Sequence, residues 1–377
     1  MTKLIAYYLP QFYPIPENDE WWGKGFTEWT NVTKAKSIFK GHNQPRFPAD
    51  LGYYDLRIPE VHVAQAEMAK SYGIYGFCYY SYWFGNGKVI LDRVVNEVFE
   101  SKSPDFPFCF CWANESWKGV WYGTGNQIAL IEQTYLGRKD YEDYFNYLLK
   151  FFQDDRYIKV KGKPLFHIYK VADIPDLPEL VNTFNELAIK NGFPGIYIVA
   201  GLRNTSELTW NPFEHGCNAV TGPEFSSLRF LSSTIDLSDS LLGKIKRSIN
   251  YRFFRNKLNF EKRRSPIVID YEKVIDKLVT DQSFDFPYFP IVIHDWDNSP
   301  RATSRSLIFH NSTPELFRNH LRKAIAKVLN LEEQEQFIFL KSWNEWGESN
   351  ALEPDSKWGY AYLKVILDEV SRTLRVL

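Results

Sequence analysis

Apolar residues in this chain gather into eight short runs rich in β-branched and aromatic side chains, mostly without the alternation of a half-solvated strand. In order they are Lys3–Leu9, Gly73–Trp83, Phe106–Trp117, Lys163–Lys170, Gly195–Gly201, Cys217–Gly222, Phe289–Trp296 and Gln336–Trp343. Runs of this kind predict strands buried on both faces. Between several of them the period changes to that of a helix: Ile58–Gly73 ending at glycine, Val89–Lys102, Lys139–Asp154, Leu177–Gly192 ending in Asn-Gly, and Thr313–Leu329 with Thr313 as N-cap. Eight strands alternating with helices predict an α/β fold, a (β/α)8 TIM barrel forming a single domain with extended loops. A doubly wound open sheet is the alternative, and the absence of a glycine-rich phosphate loop after the first strand weighs against it.

Two segments exceed the minimal strand–helix unit. Pro14–Asp55 is a long loop, and a basic insertion occupies residues 223–288 between the sixth and seventh strands. Within it, Gly243–Arg264 carries nine Lys/Arg against one Glu, interleaved with Tyr251, Phe253, Phe254 and Phe260. The simpler reading is a solvated face; peripheral contact with anionic lipid or a charged glycan is the alternative.

Composition narrows the partners. The 377 residues have a net charge of −1, so nucleic acid is not expected as a partner. Aromatic residues reach 17%, which suits either a large core or a site that stacks sugar rings. The four cysteines, Cys78, Cys109, Cys111 and Cys217, form no CxxC motif and are expected to be free buried thiols. The histidines are scattered and HExxH is absent, so neither a metal site nor a cofactor is expected. The first residues do not form a signal peptide and no stretch is long enough to span a membrane, which points to a cytoplasmic protein.

Barrel active sites are built at the C-terminal ends of the strands, and there the chain is rich in polar and aromatic residues. Candidate substrate-binding residues are Tyr8, Gln11, Trp22 and Glu28 after the first strand, then Tyr80, Tyr82 and Trp83 after the second. Trp112, Asn114 and Glu115 follow the third, and His294, Trp296, Asp297 and Arg301 the seventh. Trp343, Asn344 and Trp346 follow the eighth and surround two acids, Glu345 and Glu348. Residues three apart diverge on a strand but converge on a turn, and Gly347 between the acids favours a turn. Such a pair suits glycoside hydrolysis, one carboxyl as acid and one as base or nucleophile. Spacing alone allows equally a loop in which these carboxylates cap backbone amides. Glu28 and Glu115 are each open to a loop-stabilising role as well.

The run from Asn344 to Asp355, NEWGESNALEPD, resembles the catalytic segment of glycoside hydrolase family 99, the endo-α-mannosidases and endomannanases. The stretches YYLPQFYPIPENDEWWGKGFTEWTNV, GHNQPRFPADLGYYDLR, YGFCYYSYWF, FPFCFCWANESW, KVKGKPLFHIY and WDNSPR resemble more closely the related WbsX proteins of bacterial polysaccharide loci. The resemblance spans nearly the whole chain and implies a (β/α)8 barrel and a retaining hydrolase of α-linked bacterial glycans, possible endo action included. It also implies separate roles for the two catalytic residues. Glu345 would be the base on a sugar 2-hydroxyl that attacks C1 to give a 1,2-anhydro sugar, and Glu348 the acid and then the base for water. The chain departs from the mannosidases at Gly347, where they have His, and at Ser349, where they have Gly.

Two other functions remain open. WbsX proteins are also described as glycosyltransferases of lipopolysaccharide or capsule biosynthesis, and Asp295–Asp297 has the D-x-D form that metal-dependent transferases use. That pattern is short, and here it follows a barrel strand. A non-catalytic glycan-binding protein is the third reading, against which the two retained glutamates weigh.

Overall fold

The computed structural model describes residues 2–118, 129–203, 207, 209–222 and 266–376. The basic run 243–264 lies outside the described residues. The barrel strands are β1 Lys3–Tyr8, β2 Gly76–Trp83, β3 Phe108–Trp112, β4 Lys163–Ile168, β5 Tyr197–Gly201, β6 Ala219–Thr221, β7 Tyr288–Phe289, β8 Ile291–Ile293 and β9 Phe337–Lys341. All pair in parallel, in the order β7-β6-β5-β4-β3-β2-β1-β9-β8. The protein is thus the (β/α)8 barrel that the eight apolar runs predict.

The seventh run is divided. Tyr288 pairs with Val220 and Phe289 with Thr221, whereas Ile291 pairs with Phe339 and Ile293 with Lys341. Pro290 sits between the halves. It has no N–H to give a ladder, and its carbonyl accepts from Phe339 N at 3.0 Å. The chain therefore leaves one neighbour and joins the next at the proline, and the barrel closes there.

Alternation along the strands divides the aromatic residues between two environments. Tyr7, Tyr80, His167 and Phe339 point into the barrel: the Tyr7 ring lies 5.5 Å from Tyr80, 5.3 Å from Phe339 and 5.7 Å from His167. Their sequence neighbours point out to the helices. Trp83 stacks on Tyr144 of the helix Arg138–Phe152 at 4.8 Å, and Trp112 meets the same ring at 5.2 Å. Cys78, Cys109, Cys111 and Cys217 are free and buried.

The helices follow the expected patterns with trimmed ends. Leu177–Lys190 buries Leu177, Leu180, Val181, Phe184 and Ala188, one face at helical spacing, and stops at Asn191. Thr313 caps Pro314–Val328, its side chain accepting from Leu316 N. The segment Pro14–Asp55, expected as a loop, contains two short helices, Pro16–Trp22 and Glu28–Lys34. Pro16 starts the first in the favoured position, and a Thr27–Thr30 capping box starts the second. A small parallel pair, Ile267–Asp270 with Leu307–His310, was not anticipated from the sequence. It steadies the loop after β8, where Asp297 bridges to Ile308. Among the described residues no helix is long and apolar enough to cross a membrane.

Replacing Phe339 with Ala removes a fully buried ring from the barrel interior. We expect the unfolding free energy to fall by ~3–5 kcal/mol, read from urea unfolding with an unchanged slope. A loss below ~1 kcal/mol would mean that this ring does not pack as described.

Candidate active site

The chain turns sharply as it leaves β9. Ser342 Oγ accepts from Glu345 N at 2.9 Å, and Glu348 N donates to Glu345 O at 3.1 Å, forming a single 3-10 turn over Trp346–Glu348. On this turn Glu345 and Glu348 line the same cleft, close enough to share a proton. The cleft lies at the C-terminal mouth of the barrel and, counting the solvent in its open mouth, spans about 790 Å³.

Seven of the residues singled out from the sequence line this cleft: Gln11, Tyr80, Tyr82, Glu115, Arg301, Glu345 and Glu348. Others that line it were missed, chiefly Lys341 and Tyr169, and Trp117, noted at the end of the third apolar run, lines it as well. Lys341 shares the inward face of β9 with Phe339, and a lysine ending an otherwise apolar strand was the available signal. Its ammonium lies over the Trp296 ring at 5.3 Å and within 5.9 Å of the Tyr169 ring centre. Trp117 meets Tyr82 edge-on at 5.3 Å, so aromatic faces form part of the wall.

The remaining candidates lie outside the cleft lining, and strand direction explains several. Tyr8 points outward from β1 and donates to Gln65 Oε1 at 2.6 Å. Trp83 and Trp112 pack among the helices, Trp83 donating to Asp140 and Trp112 to the Trp83 carbonyl. His294 turns away from the barrel axis to pack on Phe317 and Tyr362. Its burial lowers its pKa to about 4, against the smaller pull of Asp295. Trp343 is fully buried against Phe77 at 5.3 Å. Trp22, half-buried, lies 6.1 Å from Phe26 and does not line the cleft.

Three further candidates hold the site from behind. Asn344 clamps Leu9, accepting from its N–H at 2.7 Å and donating to its carbonyl at 2.9 Å. This side chain joins the ends of β1 and β9, and Leu9 lines the cleft. Trp346 donates to Glu353 Oε2 at 2.6 Å, and Tyr54 and Gln65 donate to the same carboxyl. Asn114 bonds both backbone groups of Lys170, placing Lys170 Nζ 2.5 Å from Glu115 Oε1 beside a second, polar cavity.

Asp297 and Asp295 also serve internal contacts. Asp297 meets His42 and Gln44 at 2.7 Å each, and its N–H donates to the Glu348 carbonyl at 2.8 Å. Burial opposes its ionisation, but the bonds from His42 and Gln44 outweigh it and hold the carboxyl below the usual range. Asp295 pairs with Arg46 at 2.5 Å and accepts from Ser312.

Electrostatics separate the two cleft glutamates. Burial disfavours the charged form of Glu345, yet Lys341, the bond to Glu348, Arg301 and Tyr80 together hold it below the ordinary carboxylate range. Burial, then the charge of Glu345, pushes Glu348 well above it, with Arg301 pulling the other way. The pair therefore binds a proton as a unit, and these influences bias it toward Glu348. Arg301 donates through Nη1 to Glu348 Oε1 and through Nε to Glu28 Oε1, both at 2.8 Å. Glu28 is fully buried behind the turn rather than lining the cleft.

Comparison with known proteins places these features in a family. The sequence model of the family described as Glycosyltransferase WbsX matches residues 4–366. Two proteins described as uncharacterized protein WxcX, from two strains of Xanthomonas campestris pv. campestris, are 33% identical over 374 residues. The match covers 98% of this chain and 50% of each relative, so the chain spans about half their length. Among solved structures, the GH99 endo-alpha-mannosidase from Bacteroides thetaiotaomicron has a TM-score of 0.58 at 14% identity, covering 99% of this chain and 98% of that one. A glycoside hydrolase-like protein has a TM-score of 0.55 at 15% identity, covering 98% and 93%. At these identities the likeness is one of fold.

Glu353 gives the site a pH signature in stability. Burial raises its pKa from 4.5 to about 7 despite the donors Trp346, Gln65 and Tyr54. A carboxyl that holds its proton more tightly when folded stabilises most below the unfolded value, and the contribution is lost as pH rises. Relative to Glu353→Gln, which does not titrate, the wild type should lose on the order of 3 kcal/mol of stability between pH 4.5 and about 7. Thermal unfolding of both proteins across that window checks this; a constant difference would contradict it.

Proposed function

The chain belongs to the WbsX family, and on that premise we propose that it is a retaining glycoside hydrolase acting on an α-linked bacterial polysaccharide or oligosaccharide. The observation that carries this reading is that Glu345 and Glu348 line one cleft together with Lys341 and Arg301, an arrangement that biases a shared proton toward Glu348. One carboxylate and one carboxylic acid in a single cleft are the two states that glycoside cleavage consumes.

The chemistry follows from those states. Glu345 takes the proton of the sugar 2-hydroxyl, and O2 attacks C1 to form a 1,2-anhydro sugar. The C1–O bond to the leaving group breaks as Glu348 delivers its proton to that oxygen. Water then enters at C1 as Glu348 recovers a proton from it, and Glu345 returns its proton to O2. Two inversions at C1 give net retention. The route needs a 2-hydroxyl trans to the leaving group.

Lys341 supports the assignment of Glu345 as base by favouring its charged form. Gln11, Tyr80 and Tyr82 are suited to sugar hydroxyls and ring faces around C1, and Trp117 and Tyr169 offer further aromatic surface. Endo action and a role in O-antigen or capsule metabolism are part of this proposal.

The family description favours glycosyl transfer as a second reading. Against it, Asp295 and Asp297 of the D-x-D run are taken up by Arg46, Ser312, His42 and Gln44. Calorimetric titration with nucleotide sugars, with and without manganese, separates the readings. Tight metal-dependent binding would favour transfer.

The hydrolase reading is tested on a panel of O-antigen and capsule fragments. Glu345→Gln and Glu348→Gln should each cut turnover by at least ~10²-fold while ligand affinity stays within about tenfold, ~1.4 kcal/mol. The first-formed product should keep its anomeric configuration by NMR. Full activity in either variant would remove the assigned role.

A further inference from the structure

Gly347 is the one position within the turn that carries no side chain, and the space beside it is filled. A Cβ built there would lie 1.6 Å from Glu28 Oε1, 2.7 Å from the Glu28 carboxyl carbon and 2.9 Å from Arg301 Nε. Any other residue at this position would displace the Glu28–Arg301 ion pair. Glu28 comes from the first turn of Glu28–Lys34, far from Gly347 in sequence, and is 0% exposed.

We propose that Glu28 is a positioning residue: seated in the gap that Gly347 leaves, it holds Arg301 against Glu348 and takes up part of the guanidinium charge, so that Glu348 keeps its proton. This rests on the acid role of Glu348 put forward above. Arg301 reaches both carboxyls at 2.8 Å, through Nε to Glu28 and Nη1 to Glu348. A lone guanidinium against Glu348 would favour the carboxylate. A guanidinium already paired through Nε presents less net charge and still fixes the side chain by its second bond.

The groups facing Glu348 come from each element packed around the turn. Glu345 and Lys341 come from the end of β9, with Tyr80 bonded to Glu345. Arg301 comes from Ser299–Ala302, and Glu28 from Glu28–Lys34, whose Lys34 is exposed at the far end. On the backbone side, Asp297 donates its N–H to the Glu348 carbonyl and carries its charge paired to His42. Glu28 meets Glu348 through Arg301, which bonds both carboxyls.

The test reads the Glu348 carboxyl directly by NMR in protein labelled with carbon-13 at the glutamate side-chain carboxyls. The resonance is identified by its loss in Glu348→Gln. Glu28→Gln should lower the pH at which Glu348 releases its proton by about one unit, because Arg301 is left with Glu348 as its ionic partner. Arg301→Met should raise it. The double variant should titrate like Arg301→Met alone, since Glu28 acts through Arg301. If Glu28→Gln does not fold, Glu28→Asp, which draws the carboxylate back from Arg301, should give a smaller fall. An unchanged or raised midpoint in Glu28→Gln overturns the proposal. So does an equal fall when Glu28→Gln is made in the Arg301→Met background. No turnover is needed, so a protein that cleaves no glycan yet titrates as described would sink the hydrolase reading alone.

Discussion

Two carboxyl groups in contact inside a buried cleft cannot both remain ionised without strong compensation, and the site is arranged around that constraint. Glu345 and Glu348 share a cleft with two cations, Lys341 and Arg301, and a third acid, Glu28, lies behind them. With every group charged, the cluster would carry a net negative charge in a largely dehydrated space. A proton on Glu348 removes the imbalance. Lys341, set among Trp296 and Tyr169, biases the remaining charge onto Glu345.

The turn that brings the acids together depends on ties at both ends. Ser342 and Asn344 fasten its start, the latter through both backbone groups of Leu9 on the neighbouring strand. Asp297 fastens its end through the Glu348 carbonyl. Trp346 is anchored beneath by Glu353, a carboxyl that also takes donors from Tyr54 and Gln65. Three acids within one short run therefore do different work. Two face the cleft, and Glu353 is spent on holding the tryptophan between them.

Strand alternation governs the rest. The same aromatic-rich strands supply the cleft and the packing beneath the helices, one parity for each. Tyr80 and Tyr82 reach the cleft while Trp83 stacks on Tyr144, and Tyr7 points inward while Tyr8 turns out to Gln65. A high aromatic content is thus shared between the cleft wall and an ordinary core, which is why composition could not separate the two.

Much was legible in the sequence. The apolar runs determined the barrel strands, because a strand covered on both faces must be apolar along its whole length. The helix faces and the Thr313 cap followed from spacing, and the acid pair with its turn followed from Gly347 after a strand end. What remained undecided needed the third dimension. Which face of each strand looks inward depends on the register of its neighbours, so Tyr8, Trp83, Trp112 and His294 could be listed but not oriented. The division of the seventh run at Pro290 depends on having partners on both sides. The pairing of Glu28 with Arg301 across Gly347 joins segments with no local relation. Local composition sets which residues must be buried; only packing decides which of them meet, because an ion pair or a shared proton requires contact between groups that the chain itself does not bring together.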